Sequence, residues 1–61
     1  MKARELIRLL ESKGWREVRQ KGSHRQYKHP GSPNVVTIPD HPGVDLKPGT
    51  LNRILKAAGL K

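Results

Sequence analysis

Two apolar stripes with helical spacing, one near each end of the chain, constrain the fold more than any other feature. In each stripe apolar residues recur at i, i+3, i+4 and i+7: Ala3, Leu6, Ile7 and Leu10, and again Leu51, Ile54, Leu55 and Ala58. This spacing places each set on one side of a helix that buries a single face. We predict a first helix over residues 3 to 13, ended by Gly14, and a second with Pro48 in its first turn and Gly59 at its end.

Three short segments between these helices have the composition of β-strands. We predict strands over residues 15–20, 24–29 and 35–38, joined by turns at residues 21–23 and 30–34 that contain glycine and proline. Trp15 and Val18 have opposite parity in the first strand, so either a bulge intervenes or Trp15 connects the helix to the strand. A loop from Pro39 to Gly49 leads to the second helix.

The element order is therefore α-β-β-β-α within one domain spanning residues 1–61. Two helices with one apolar stripe each and a three-stranded antiparallel meander predict a two-layer α+β sandwich with both helices on one sheet face. The opposite sheet face is left to water or to a ligand.

The small size of the chain limits how it can be stabilised. The 61 residues include no cysteine, and three histidines are too few for a zinc framework, so we expect a mainly aliphatic core and no cofactor or metal. No segment approaches the ~20 apolar residues of a membrane span, and the first residues do not resemble a signal peptide. We expect a cytoplasmic protein without a membrane partner.

The charge balance indicates a polyanionic partner. Thirteen Lys and Arg residues against five Asp and Glu give a formal net charge of +8. A field of this density attracts nucleic acid, the commonest intracellular polyanion, although plain solvation of the surface is the alternative interpretation.

His24 is the candidate catalytic residue. If Tyr27 points into the core, strand alternation sends His24 to the open face, and Lys21, Arg25 and Lys28 flank it in the sequence as candidate phosphate contacts. RNA carries its own nucleophile in the 2′-hydroxyl, so a histidine that transfers protons and cations that hold the phosphate suffice to cleave it without a metal. The alternative is an ordinary surface histidine. Ser23 is not a nucleophile for His24, because adjacent strand residues point to opposite faces.

An ordered set of motifs resembles a known family. The motifs are Gly22-Ser23-His24, Tyr27, His29-Pro30, Val36-Thr37-Ile38-Pro39 with His41, Leu46, and the final stretch GTLNRILKAAGL at residues 49–60. Together they resemble the HicA toxins of bacterial and archaeal toxin-antitoxin systems over nearly the whole chain.

The resemblance implies a fold like that of a double-stranded-RNA-binding domain and an mRNA interferase activity that halts translation. It implies a HicB-like antitoxin as the protein partner, for which we expect an acidic surface that covers the basic one. The histidine of the Gly-Ser-His motif, which is catalytic in this family, corresponds to His24. Two alternatives stay open at this point: a non-catalytic RNA-binding module and a structural partner of an acidic protein.

Overall fold

The computed structural model describes all residues from 1 to 61 and has the predicted element order. Its elements are helix α1 (Ala3–Ser12), strands β1 (Arg16–Lys21), β2 (His24–Lys28) and β3 (Val36–Pro39), and helix α2 (Pro48–Ala57). The strands form one antiparallel sheet in the order β1-β2-β3. The α+β fold class is confirmed, and the bounds of α1 and of the three strands differ from the predicted ones by at most one residue.

The core lies between the two helices and one face of the sheet. Its buried apolar residues come from every element except β1, together with the residue that precedes β1: Ala3, Leu6, Leu10, Trp15, Tyr27, Val36, Ile38 and Ile54. Tyr27 is only 1% exposed, so it points inward as strand alternation predicts. The face of the sheet opposite the helices is therefore uncovered.

Both helices end in the same glycine-dependent arrangement. Gly14 has φ +98°, and the next residue, Trp15, donates its backbone N–H to the carbonyl of Leu10 at 3.0 Å. Gly59 has φ +73° and is followed by the equivalent bond from the N–H of Leu60 to the carbonyl of Leu55 at 2.8 Å. This is the Schellman motif, in which a left-handed glycine satisfies the last carbonyl groups of a helix. Both predicted helix stops are confirmed.

The first strand contains an irregularity that resolves the parity of Trp15 and Val18. The pairing of β1 with β2 shifts register between Glu17 and Arg19, which leaves Val18 as an extra, 55% exposed residue. Trp15 is buried and lies before the strand begins. The bulge and the connecting role of Trp15, predicted as alternatives, therefore occur together.

His29 fastens the end of β2 to the end of α1. The amide N–H of Gly31 donates to its Nδ1 at 2.8 Å, so the proton is on Nε2, which donates to the carbonyl of Lys13 at 3.0 Å. Its ring also packs against Trp15, with ring centroids 5.4 Å apart. Both ring nitrogens of His29 are thus used within the fold.

A pair of glycine substitutions measures how closely His29 packs. We expect Gly59→Ala to cost about 1–2 kcal/mol, the price of a left-handed alanine, because nothing lies within 4 Å of the added methyl group. Gly14→Ala has the same backbone cost and also places its methyl group 2.8 Å from Nε2 of His29, so its loss of stability should be larger. Urea denaturation of both variants checks this. Equal losses of stability in the two variants would show that the side chain of His29 moves away from the added methyl group at no energetic cost.

Candidate functional site on the open face of the sheet

His24 opens strand β2 immediately after a two-residue hairpin loop. Gly22, the first loop residue, has φ +58°, while Ser23 keeps a negative φ, as a hairpin turn with glycine at its first central position requires. His24 lies opposite Lys21 on β1 and Pro39 on β3. Its imidazole is exposed and makes no hydrogen bond within the protein, so both ring nitrogens are free to exchange protons with a ligand.

Several cations share the open face with His24. Residues opposite each other on antiparallel strands point to the same side, so Lys21 lies beside His24, and Arg19 lies beside the uncharged Gln26. Lys28 follows on the same side of β2. We call the four residues Arg19, Lys21, His24 and Lys28 the basic face; it contains no carboxylate.

Sequence reasoning missed Arg19 as a member of this face. In an uninterrupted strand, Arg19 would share the inner side with Glu17, but the extra residue Val18 turns it outward. The opposite parity of Trp15 and Val18 was the signal in the sequence, because it indicated a bulge in this strand.

Arg25 lies on the other side of the sheet from His24. Its Nε donates to Oδ2 of Asp40 at 2.8 Å, and its Nη1 donates to Oε1 of Glu17 at 3.0 Å. These bonds, that with Glu17 foremost, raise the pKa of Arg25 above its ordinary value. The structure therefore brings Lys21 and Lys28 to the face of His24 and engages Arg25 in ion pairs on the helix side.

Asp40 braces the residue that precedes His24. Its backbone N–H donates to the carbonyl of Ser23 at 2.6 Å, and its buried carboxylate is held by Arg25. The other carboxylate oxygen, Oδ1, is buried without a hydrogen-bond partner, so Arg25 supplies the only ion pair of this group. No pattern in the sequence singled out Asp40 or Glu17, since their roles depend on contacts between strands.

Tyr27 lies behind the basic face, on the core side of the sheet. Its hydroxyl donates to Oε1 of Glu17 at 3.3 Å. Burial, reinforced by the negative charge of Glu17, raises the pKa of Tyr27 to about 12. The phenol is therefore a core residue with a polar anchor, and it stays protonated at neutral pH.

The raised pKa of Tyr27 predicts a loss of stability in strong base. An unfolded tyrosine ionises near pH 10, whereas the folded one holds its proton up to about pH 12. Between these values the folded state binds more protons, so the free energy of unfolding falls by about 1.4 kcal/mol per pH unit. Urea denaturation at pH 9 to 12 should show this slope in the wild type and a smaller one in Tyr27→Phe. Equal slopes for the two proteins would contradict the assignment.

The other arrangements of functional residues considered from the sequence are not brought together by the fold. No three His, Asp or Glu side chains converge in a way that could hold a metal ion. Ser23 pairs with Asp40 on the helix side, whereas His24 points to the open face, so the two side chains do not form a nucleophile and base pair. No helix is long and apolar enough to cross a membrane.

The fold and the basic face define a class: a small, basic α+β domain with a free histidine on an uncovered sheet. A family model described as the HicA toxin of bacterial toxin-antitoxin systems matches residues 3–60. The chain therefore belongs to the HicA toxin family, which confirms the resemblance seen in the sequence. Membership implies a toxin role and a HicB-type antitoxin as partner. Comparison with curated proteins found no match.

Proposed function

We propose that this toxin is a metal-independent endoribonuclease, an mRNA interferase, and that His24 is its catalytic residue. The observation that supports the proposal is the exposed imidazole of His24, free of internal hydrogen bonds and beside Lys21 on a face without carboxylates. Such a site provides a proton-transfer group and positive charge, the two components that cleavage through the 2′-hydroxyl of RNA requires.

The reaction follows from this arrangement. His24 takes the proton of the 2′-hydroxyl as that oxygen attacks the adjacent phosphorus; the new P–O bond forms while the bond to the 5′-oxygen of the next nucleotide breaks. The products are a 2′,3′-cyclic phosphate and, after the departing 5′-oxygen takes up a proton, a 5′-hydroxyl. Lys21 and Lys28 hold the phosphate and stabilise the charge that develops on it. Cleavage of mRNA in this way arrests translation.

Arg25 has a different place in the proposal. Its guanidinium lies on the helix side of the central strand β2, and its contribution is to hold Asp40, whose backbone N–H donates to the carbonyl of Ser23 next to His24. A positioning residue of this kind affects catalysis through geometry, because small displacements of a proton-transfer group are costly.

The antitoxin blocks the same surface. With a formal net charge of +8 on the chain, an acidic HicB-type partner binds the basic face by charge complementarity. It then competes with RNA for Lys21 and Lys28 and covers His24.

The basic face also suits a second function, that of a non-catalytic RNA-binding module with a fold like a double-stranded-RNA-binding domain. Contacts to phosphates and to helix shape need the cations of the face but not the histidine. In this case RNA is bound intact and translation is affected by occupancy alone.

Incubation of the purified protein with an end-labelled transcript in EDTA tests the proposal. We expect discrete fragments that carry a 2′,3′-cyclic phosphate. Retarded but intact RNA would support the binding module instead. A requirement for added divalent cation would contradict the metal-independent mechanism. Salt weakens both activities and therefore does not distinguish them.

A further inference from the structure

A proton must reach the leaving 5′-oxygen, and a single base cannot supply it in the same step. The chain has three histidines. His29 is occupied, since its two ring nitrogens bond Lys13 and Gly31. His41 is exposed and makes no side-chain hydrogen bond within the protein, so it is the remaining imidazole that can exchange protons with a ligand.

The carboxylates do not offer an alternative on this face. Glu17 and Asp40 bond Arg25 on the helix side of the sheet, and Asp45 bonds Lys2. The pairing with Lys2 lowers the pKa of Asp45, which keeps that group ionised and unsuited to donate a proton. With Lys21 and Lys28 assigned to the phosphate, a histidine is the remaining candidate for the acid that protonates the leaving group.

The pairing of β2 with β3 is the basis for placing His41 near His24. Pro39 lies opposite His24, and the bond from Asp40 N–H to the carbonyl of Ser23 extends the pairing one residue beyond β3. The buried carboxylate of Asp40 faces the helices, and alternation continued past the end of β3 at Pro39 would place His41 on the side of Pro39 and His24. Diagonal neighbours of this kind lie about 7–8 Å apart, a separation that long side chains can bridge around a phosphate.

A surface hollow supports the same placement. Pro39 and His41 line one hollow of about 260 Å³, together with Lys47 and Thr50 at the start of α2. Through Pro39, which is paired with His24 on the neighbouring strand, the hollow lies one strand away from the basic face. Lys47 adds a positive charge to this hollow.

The segment that carries His41 is held in place at both ends. The carbonyl of His41 accepts the N–H of Val44 at 3.1 Å, which closes a turn. Beyond it, Lys2 bonds Asp45 through its Nζ at 3.0 Å, and the carbonyl of Met1 accepts the N–H of Leu46 at 2.9 Å. These contacts anchor the turn to the start of α1.

We propose that His41 is the general acid of the reaction, a role that rests on the ribonuclease function proposed above. As His24 takes the 2′ proton, the imidazolium of His41 gives its proton to the departing 5′-oxygen, so the reaction leaves His24 protonated and His41 neutral. Both side chains are exposed and regain their starting states by exchange with water.

A change of leaving atom separates an acid from a structural residue. Two RNA substrates are compared, identical except that the 5′-oxygen at the mapped cleavage position is replaced by sulfur in the second. A thiol is far more acidic than an alcohol, so the sulfur departs without a proton donor. We expect His41→Ala to cleave the oxygen substrate about 10²–10⁴-fold more slowly than wild type and the sulfur substrate within about tenfold of it. His24→Ala should lose activity on both.

Two controls and three outcomes complete the experiment. Pro42→Ala alters the same turn without removing a proton donor and should keep the wild-type rate, and thermal unfolding verifies that each variant folds. A His41→Ala protein that keeps the wild-type rate on the oxygen substrate, or that loses equally on both substrates, overturns the proposal for His41 alone. If the wild type cleaves neither substrate, the ribonuclease function is wrong, and the role of His41 falls with it.

Discussion

His24→Ala should abolish RNA cleavage while leaving the fold and most of the affinity for RNA intact. The side chain is exposed and unbonded, so its removal costs little stability, whereas the loss of a general base slows the reaction by about 10²–10⁴-fold. Cleavage of a labelled transcript, thermal unfolding and gel retardation of the intact transcript measure these three effects, and growth arrest on expression in bacterial cells should be lost together with cleavage.

A substitution on the same sheet surface controls for disturbance of the face. Thr37→Ala changes an exposed, uncharged side chain on the neighbouring strand and should leave cleavage close to the wild-type rate. His24→Gln keeps a polar side chain of similar size but cannot take up a proton at neutral pH, and should be as inactive as His24→Ala. If either His24 variant cleaves RNA at the wild-type rate, the catalytic assignment is wrong.

Tyr27→Ala should have the largest effect on stability. The side chain is 1% exposed at the centre of the core, and truncation of a buried aromatic leaves a cavity that costs about 3–5 kcal/mol. A chain of this length has about 3–9 kcal/mol of stability in total, so we expect much of the variant to be unfolded at 37 °C. The fluorescence of Trp15, the chain's one tryptophan and a buried one, reports unfolding in urea.

Tyr27→Phe is the matched control for this experiment. It keeps the ring in the core and removes only the hydroxyl group that donates to Glu17, which should cost about 0.5–1.5 kcal/mol. A Tyr27→Ala protein nearly as stable as Tyr27→Phe would show that the ring contributes little to the core.

Local patterns in the sequence predicted the elements and their ends well. The helical stripes require only a period of 3.6 residues, and Gly14 and Gly59 end the helices because of their own backbone freedom. Alternation along β2 was sufficient to place Tyr27 inside and His24 outside. The toxin family was also evident in the sequence, and the match over residues 3–60 confirms it.

Contacts between strands were harder to predict. Arg25 flanks His24 in the sequence, yet its guanidinium lies on the helix side, where Glu17 and Asp40 hold it. Nothing in the local pattern indicates these partners, because they lie 8 and 15 residues away along the chain. The alternation of side chains along β2 that places His24 on the open face also places Arg25 on the opposite face, toward the helices.

The sequence by itself determined the order of helices and strands, both helix stops, the inward tyrosine and the outward His24, since each depends on residues close together in the chain. Only the tertiary structure decided the bulge that turns Arg19 outward, the ion pairs of Arg25, and the pairing that sets Pro39 opposite His24 and Asp40 against Ser23. These features depend on register between separate strands, and register is set when the strands pack together on a common core.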